Sequence, residues 1–295
     1  MKVTALTTAT GRTRAADYIT LAKPRLNLLV IVSALAGYVM AGGDTADVSA
    51  LFWTIAGTGL VAGGASAFNQ ILERDQDALM HRTRLRPLPD GRMSSSEAAV
   101  WAGVLSAAGL LTLILGVNPL AGGVALATLA CYAVIYTPLK RRTSLATVIG
   151  AIPGALPPVI GWAAADGSLS RGAWILFAIV FLWQMPHFLA IAWMYREDYA
   201  RAGFPMLPVL EPDGHSTSRQ AVIYAAALLP VALAPTLVGM SGAIYFAGAL
   251  VLSLLFLGMS VRFAASRRTP DARRLFFSSL VYLSLLWILM IADRV

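Results

Sequence analysis

Long apolar blocks joined by short polar connections make up most of this chain. A bilayer's hydrocarbon core takes about 20 predominantly apolar residues as a helix, with a range of roughly 17–25. Nine blocks reach that length, near residues 26–42, 50–72, 98–116, 118–136, 144–164, 172–194, 220–238, 242–262 and 275–292. Inside hydrocarbon every backbone N–H and C=O needs a partner within its own segment, so each block predicts a helix. The expected fold is all-α, a polytopic membrane protein with nine transmembrane helices.

Composition agrees: 58% of residues are hydrophobic and 13% charged, and the mean hydropathy is +0.70, too apolar for a soluble domain. The formal charge of +8 would suggest nucleic acid in a soluble protein. Here its placement in loops matters more than its total, and no nucleic-acid partner is expected. Threaded through nine spans, the 23 lysines and arginines fall on one side, apart from Arg171 and Arg294. By the positive-inside rule that side is cytoplasmic, which puts the N-terminus in the cytoplasm and the C-terminus outside. The two longest connections, about 73–97 and 195–219, lie on the same side, while the outer loops are short and nearly uncharged. Chemistry is therefore expected at the cytoplasmic face.

The single cysteine, Cys131, lies in an apolar block, which excludes an intrachain disulfide and any cysteine-cluster metal site. Residues 1–16 are Thr-rich and basic and lack the apolar centre of a secretory signal. They are expected to form a flexible cytoplasmic tail, followed by one domain over 17–295. A basic, acid-poor transit peptide has a similar composition.

Directly after the second block comes NQILERDQDALMHRTRLRPLP, from Asn69 to Pro89. If the helix continues past the membrane, Asn69, Glu73 and Asp77 recur every four residues and share one face. Hard cations such as Mg²⁺ take oxygen ligands and usually bind one or two carboxylates together with substrate phosphates. Arg82, Arg84 and Arg86 follow, as planar forks suited to phosphate oxygens. Acid and base together suggest a metal-bridged diphosphate, with Asn69, Glu73 and Asp77 as catalytic metal ligands. An ordinary polar loop would carry similar charges, but it needs no matched helical spacing. The connection after the sixth block, WMYREDYARAGFPMLPVLEPDG, has the same plan of apolar helix, charged end and Gly/Pro-rich loop. It reads as a weak internal repeat.

Ionisable groups at membrane depth are expensive and point to function. His187, in WQMPHFLAIAW, can ligate a metal, hydrogen-bond a substrate or shuttle a proton; a neighbouring helix could equally satisfy it. Gln184, one turn away, suits either reading. The fifth block, GAIPGALPPVIGW, cannot be a straight regular helix; its small residues border a cavity or permit a tight helix crossing. Lys140, Arg141 and Arg142 end the fourth block on the expected active face, and as topology determinants they need no further role. Lys23-Pro24-Arg25 opens the first span, where headgroup contact is the default. His81 and His215 make no metal-site spacing with another His or Cys.

The run from Asn69 to Ser94, N-x-x-x-E-x-x-x-D-A-x-M-x-R-T-x-x-R-P-L-P-x-G-R-M-S, resembles the first acidic motif of the intramembrane prenyltransferase superfamily, and within it the heme O synthase branch. KPR at 23–25, YTPLKRRT at 136–143, the fifth block, PHF at 186–188 and YREDYARAGFPMLPV at 195–209 extend the resemblance over most of the chain in family order. It implies a nine-helix bundle around a large central cavity open to the cytoplasmic face and to lipid. It implies farnesyl transfer from farnesyl diphosphate to a vinyl group of heme b, with addition of water, Mg²⁺ as cofactor, and partners among heme A synthase or terminal oxidase assembly. The implied location is the inner membrane of a bacterial cell. Carried over by position, Asn69, Glu73 and Asp77 bind metal and diphosphate, Arg82, Arg86, Lys140 and Arg141 bind diphosphate, and His187 is heme-binding. Two departures stand out. The motif's middle position, usually Asp, is Glu73. The superfamily's second motif, D-x-x-x-D, falls on Tyr195 and Tyr199, leaving Glu197 and Asp198 as the nearby candidates for a further metal ligand. Competing readings are prenyl transfer to another aromatic acceptor, such as a quinone precursor or chlorin, and a secondary transporter of an anionic solute. Transporter sites lie near the bilayer midplane, whereas these charges cluster at one surface.

Overall fold

The computed structural model describes residues 13–42 and 47–295. Of the segment 1–16 expected as a tail, residues 1–12 lie outside that description. The Thr13 hydroxyl caps the N–H of Ala16, and helix α1 (Arg14–Ala22) begins there, so helix extends into the last three residues of that segment. Lys23 then takes a left-handed backbone, φ +47, which turns the chain into α2 (Pro24–Gly42) with proline at its first position.

The remaining elements are α3 (Val48–Leu72), α4 (Arg74–Leu79), α5 (Ser95–Gly116), α6 (Pro119–Ala130), a π-helical stretch over Cys131–Tyr136, α7 (Thr137–Leu139), α8 (Ala146–Ala155), α9 (Pro157–Asp166), α10 (Arg171–Met194), α11 (Arg196–Arg201), α12 (Leu207–Leu210), α13 (His215–Leu237), α14 (Ala243–Ser266) and α15 (Thr269–Ala292). Nine helical segments among the described residues are long and apolar enough to cross a membrane. The fourth is Pro119–Leu139, with the π turn inside it, and the fifth is Ala146–Asp166, broken at Leu156 before Pro157. The chain is an all-α integral membrane protein.

The fifth and sixth spans form the centre, with 67% and 56% of their most apolar windows buried, against 28–39% for the other seven. Gly161 packs against the Ala34 carbonyl and Gly37 against the Pro158 carbonyl, so α2 and α9 cross backbone to backbone. The small residues of the fifth span therefore serve a tight crossing here. Gln184 donates to the Ala151 carbonyl at 2.6 Å, over the space that Gly154 leaves free, and so ties α10 to α8. Gln184 is structural.

Cross-links at the two ends differ in kind. At one end, backbone carbonyls dominate: Asn118 donates to Ala163 and Ala164, and Tyr38 to Asp47. At the other, charges do: Asp17 of α1 pairs with Arg92, Glu73 with Lys140, and Asp198 meets the chain at His81 and Arg82. We call the second the basic end. Adding a methyl group at Gly161 forces α2 and α9 apart, so Gly161→Ala is expected to cost about 1–3 kcal/mol and to lower the unfolding midpoint in detergent by several degrees. Gly123→Ala, where a Cβ meets nothing within 4 Å, is expected to leave it unchanged.

Candidate active site

Glu73 ends α3 with φ −102, ψ 10, and α4 starts at the next residue. The break is slight, because Glu73 N–H still donates to Asn69 O at 3.0 Å and Asp77 N–H to Glu73 O at 2.7 Å. The four-residue repeat survives across it. Asn69, Glu73 and Asp77 are almost fully buried, at 4%, 3% and 0% exposure, and face one basin at the basic end.

The basin has a volume of about 150 Å³, and besides these three its walls carry Lys23, Arg82, Arg86 and Lys140 with Leu26, Met80, Tyr199 and Phe204. Each carboxylate has its own cation: Lys140 Nζ lies 2.7 Å from Glu73 Oε1, and Arg86 Nη1 lies 2.6 Å from Asp77 Oδ2. Four basic groups against two carboxylates leave an excess of positive charge, suited to a polyanion. Burial alone would lower the Lys140 amine, but the adjacent Glu73 carboxylate outweighs it and holds Lys140 above its ordinary value. Among the described residues Lys23 has no such ion pair. Burial pushes its amine down to about 7, and Arg86 acts in the same direction.

One oxygen is left over. Asp77 Oδ1 is buried without a hydrogen-bond partner, an arrangement that is costly unless a ligand completes it. Asn69 and Glu73 line the same basin, and the oxygens that the three residues offer fit the chemistry of a hard divalent cation.

Local sequence explains the shape. The π turn at Cys131–Tyr136 lies in the fourth span just before Lys140, and such bulges recur at functional sites. Gly150 leaves room for the Tyr136 ring, whose centroid lies 5.3 Å from Lys140 Nζ. On the opposite wall α11 closes in a Schellman turn: Phe204 N–H donates to Tyr199 O and Gly203 N–H to Ala200 O, with Gly203 at φ +71. That turn packs Phe204 against Tyr199, ring centroids 6.0 Å apart, and brings the Phe204 ring to 5.4 Å from Lys140 Nζ.

Not every candidate residue is in the basin. Arg141 is exposed and donates to the Leu72 carbonyl, capping the end of α3 rather than facing the basin. Asp198 is buried, but its oxygens accept the backbone N–H groups of His81 and Arg82 and the Arg201 side chain. Burial would raise its carboxyl, but these donors hold it below the usual carboxylate range. It fixes the loop that carries Arg82 and is not among the residues that line the basin. Glu197 is exposed outside the basin. His187 is elsewhere: its Nδ1 lies 2.7 Å from Ser279 Oγ, between the rings of Trp183 and Phe276 at 5.3 and 4.9 Å. His81 and His215 are exposed. Lys23 and Tyr199 are basin residues that sequence reasoning passed over. Lys23 looked like an ordinary interface lysine, and only the left-handed turn at its own position aims it inward. For Tyr199 the signal was present, since it stands where the second acidic motif would be.

Residues 30–286 match the UbiA prenyltransferase family. A protoheme IX farnesyltransferase of Solibacter usitatus is 52% identical over 287 residues, covering 94% of this chain and 98% of that protein. The protein of the same name from Koribacter versatilis is 44% identical over 289 residues, covering 94% and 93%. Among solved structures, one of digeranylgeranylglyceryl phosphate synthase aligns with a TM-score of 0.78 at 15% identity, covering 95% of this chain and 98% of that one. A UbiA homolog from Archaeoglobus fulgidus bound to GPP and Mg²⁺ aligns with a TM-score of 0.65 at 16% identity, covering 94% and 99%. These two likenesses speak for the fold.

In the free protein Lys23 is largely neutral above pH 7, so binding a polyanion there must draw a proton back. The affinity for inorganic pyrophosphate is therefore expected to fall from pH 6 to 8.5 more steeply in the wild type than in Lys23→Met, by up to about tenfold per unit. Isothermal titration of both proteins measures the difference; parallel profiles would remove Lys23 from the basin's charge balance.

Proposed function

Since the chain belongs to the UbiA prenyltransferase family, we infer that it is a protoheme IX farnesyltransferase whose chemistry runs in the basin around Asn69, Glu73 and Asp77. It transfers the farnesyl group of farnesyl diphosphate to a vinyl group of heme b; water adds, and heme O and diphosphate are released. The observation that carries the site assignment is the pair of buried carboxylates, each holding a cation, with one Asp77 oxygen left unpartnered.

Arg82, Arg86, Lys140 and Lys23 bind the diphosphate and neutralise the charge that grows on the leaving oxygen as the C1–O bond breaks. Such preorganised charge in a water-poor site is worth far more than in bulk water. Mg²⁺ held by Asn69, Glu73 and Asp77 would supply Lewis-acid neutralisation of the same leaving group. Glu73 and Asp77 also hold Lys140 and Arg86 in place, so the anion meets donors already aimed. Phe204, Met80 and Leu26 add apolar side chains to the otherwise polar wall of the basin. The vinyl carbon of heme b attacks that cation, the resulting positive charge moves to the carbon next to the macrocycle, and a water molecule takes it up with loss of one proton.

We further place the basic end, and with it the N-terminus, on the cytoplasmic side of a bacterial inner membrane, with residues 17–295 acting as one domain. The asymmetry of Lys and Arg supports this orientation, as only Arg171 and Arg294 fall at the other end.

Purified protein given heme b, farnesyl diphosphate and Mg²⁺ is expected to yield a porphyrin carrying one hydroxyethylfarnesyl group, detected by liquid chromatography and mass spectrometry, and to lose that product when a chelator is added. Asp77→Asn is expected to lower kcat/KM by at least about 10²-fold with membrane insertion unchanged; full turnover in that variant would sink the site assignment.

A further inference from the structure

A basin of about 150 Å³ is below the roughly 300–1,000 Å³ usual for small-molecule sites and is on the scale of a diphosphate head. A second cleft of about 300 Å³ opens between the end of α10 and the start of α15, lined by Met194, Tyr195, Thr269, Arg273, Phe276 and Phe277. One cation–π pair connects the two: Arg82, on the basin wall, lies 5.2 Å from the centre of the Tyr195 ring, on the cleft wall.

The chemistry of this cleft is aromatic and cationic. The Phe276 and Phe277 rings stand edge to face at 5.1 Å, with the Arg273 guanidinium 5.9 Å from the centre of Phe277. Phe276 also touches His187, ring centroids 4.9 Å apart, so the inner wall of the cleft leads to the half-buried imidazole. Charge separates Arg273 from its neighbours. Arg262 and Arg274 share Asp271, whereas Arg273 has no carboxylate partner among the described residues. It lies in the first turns of the 24-residue α15, where the helix N-terminus adds positive potential. A flat apolar ring system with carboxylates on one edge matches these walls: rings against rings, and acid toward an unpaired guanidinium.

Resting on the farnesyl-transfer reading, we propose that this cleft is the acceptor site, and that Arg273 binds a propionate carboxylate of the porphyrin and thereby fixes which edge of the macrocycle faces the basin. Arg273 is then a specificity-determining residue for the acceptor, with no role toward the prenyl donor.

The test uses protoporphyrin IX and its dimethyl ester as probes, followed by fluorescence in neutral detergent, so it needs no turnover. The wild type is expected to bind the free acid at least about tenfold more tightly than the ester, the scale of one charge-assisted hydrogen bond. In Arg273→Gln that ratio is expected to approach one, with affinity for inorganic pyrophosphate unchanged. Arg273→Lys should recover part of the ratio, and Arg274→Gln should keep all of it. An unchanged ratio in Arg273→Gln, with porphyrin still bound, overturns the cleft assignment and leaves farnesyl transfer standing. No porphyrin binding by the wild type overturns both. A wild-type preference that appears only in vesicles of anionic phospholipid, and not in neutral detergent, overturns the proposal in favour of a lipid headgroup site.

Discussion

Two carboxylates lie buried at the end of a membrane helix, and burying an ionised carboxylate is tolerable only when a cation and further hydrogen bonds compensate it. Lys140 answers Glu73 and Arg86 answers Asp77. These pairs dictate much of the basic end. Lys140 must come down from the fourth span, so that span closes through a π turn and packs Tyr136 into the space beside Gly150. Arg86 must fold back over α4, so the loop beyond it turns on the Thr83 hydroxyl, which donates to the Asp77 carbonyl at 2.8 Å. A third carboxylate, Asp198, holds the same loop from the sixth-span side. The site is thus a set of neutralised charges in which, among the described residues, one Asp77 oxygen and the basic groups Arg82 and Lys23 have no oppositely charged partner of their own.

The same balance explains why the two halves of the chain look alike without being equivalent. α3 and α10 each end at a single non-helical residue, Glu73 and Tyr195, and each is followed by a six-residue helix, Arg74–Leu79 and Arg196–Arg201. The weak repeat seen in the sequence is therefore a repeat of backbone. Its chemistry has diverged: Tyr199 occupies the place of Asp77 and faces the basin, while Tyr195 faces the cleft. Carboxylates on one half and aromatic rings on the other give a polar compartment beside an aromatic one.

Rigidity comes from the middle of the bundle. The backbone crossing of α2 on α9 and the Gln184 tie between α8 and α10 bring together the span that follows Lys23 and the span that carries His187. Without a hydrophobic drive between helices in lipid, close packing of small residues and buried hydrogen bonds must supply the association. The glycines and prolines of the fifth span are spent on that task.

Span number and order, the asymmetry of charge between the two ends and the run Asn69–Glu73–Asp77 were all legible in the sequence. Each depends on local rules: block length against bilayer thickness, and helical periodicity across a break too slight to interrupt it. The tertiary structure alone decided the partners. Arg82, Arg84, Arg86, Arg141 and Arg142 are alike as residues, yet Arg86 enters the basin and Arg141 caps the Leu72 carbonyl. Asp198 looks like a ligand and is taken up by backbone donors, while Lys23 looks like an interface anchor and lines the site. Whether a charged group binds a ligand or the chain itself depends on which oppositely charged group meets it in space, and that meeting is set by contacts between residues dozens of positions apart.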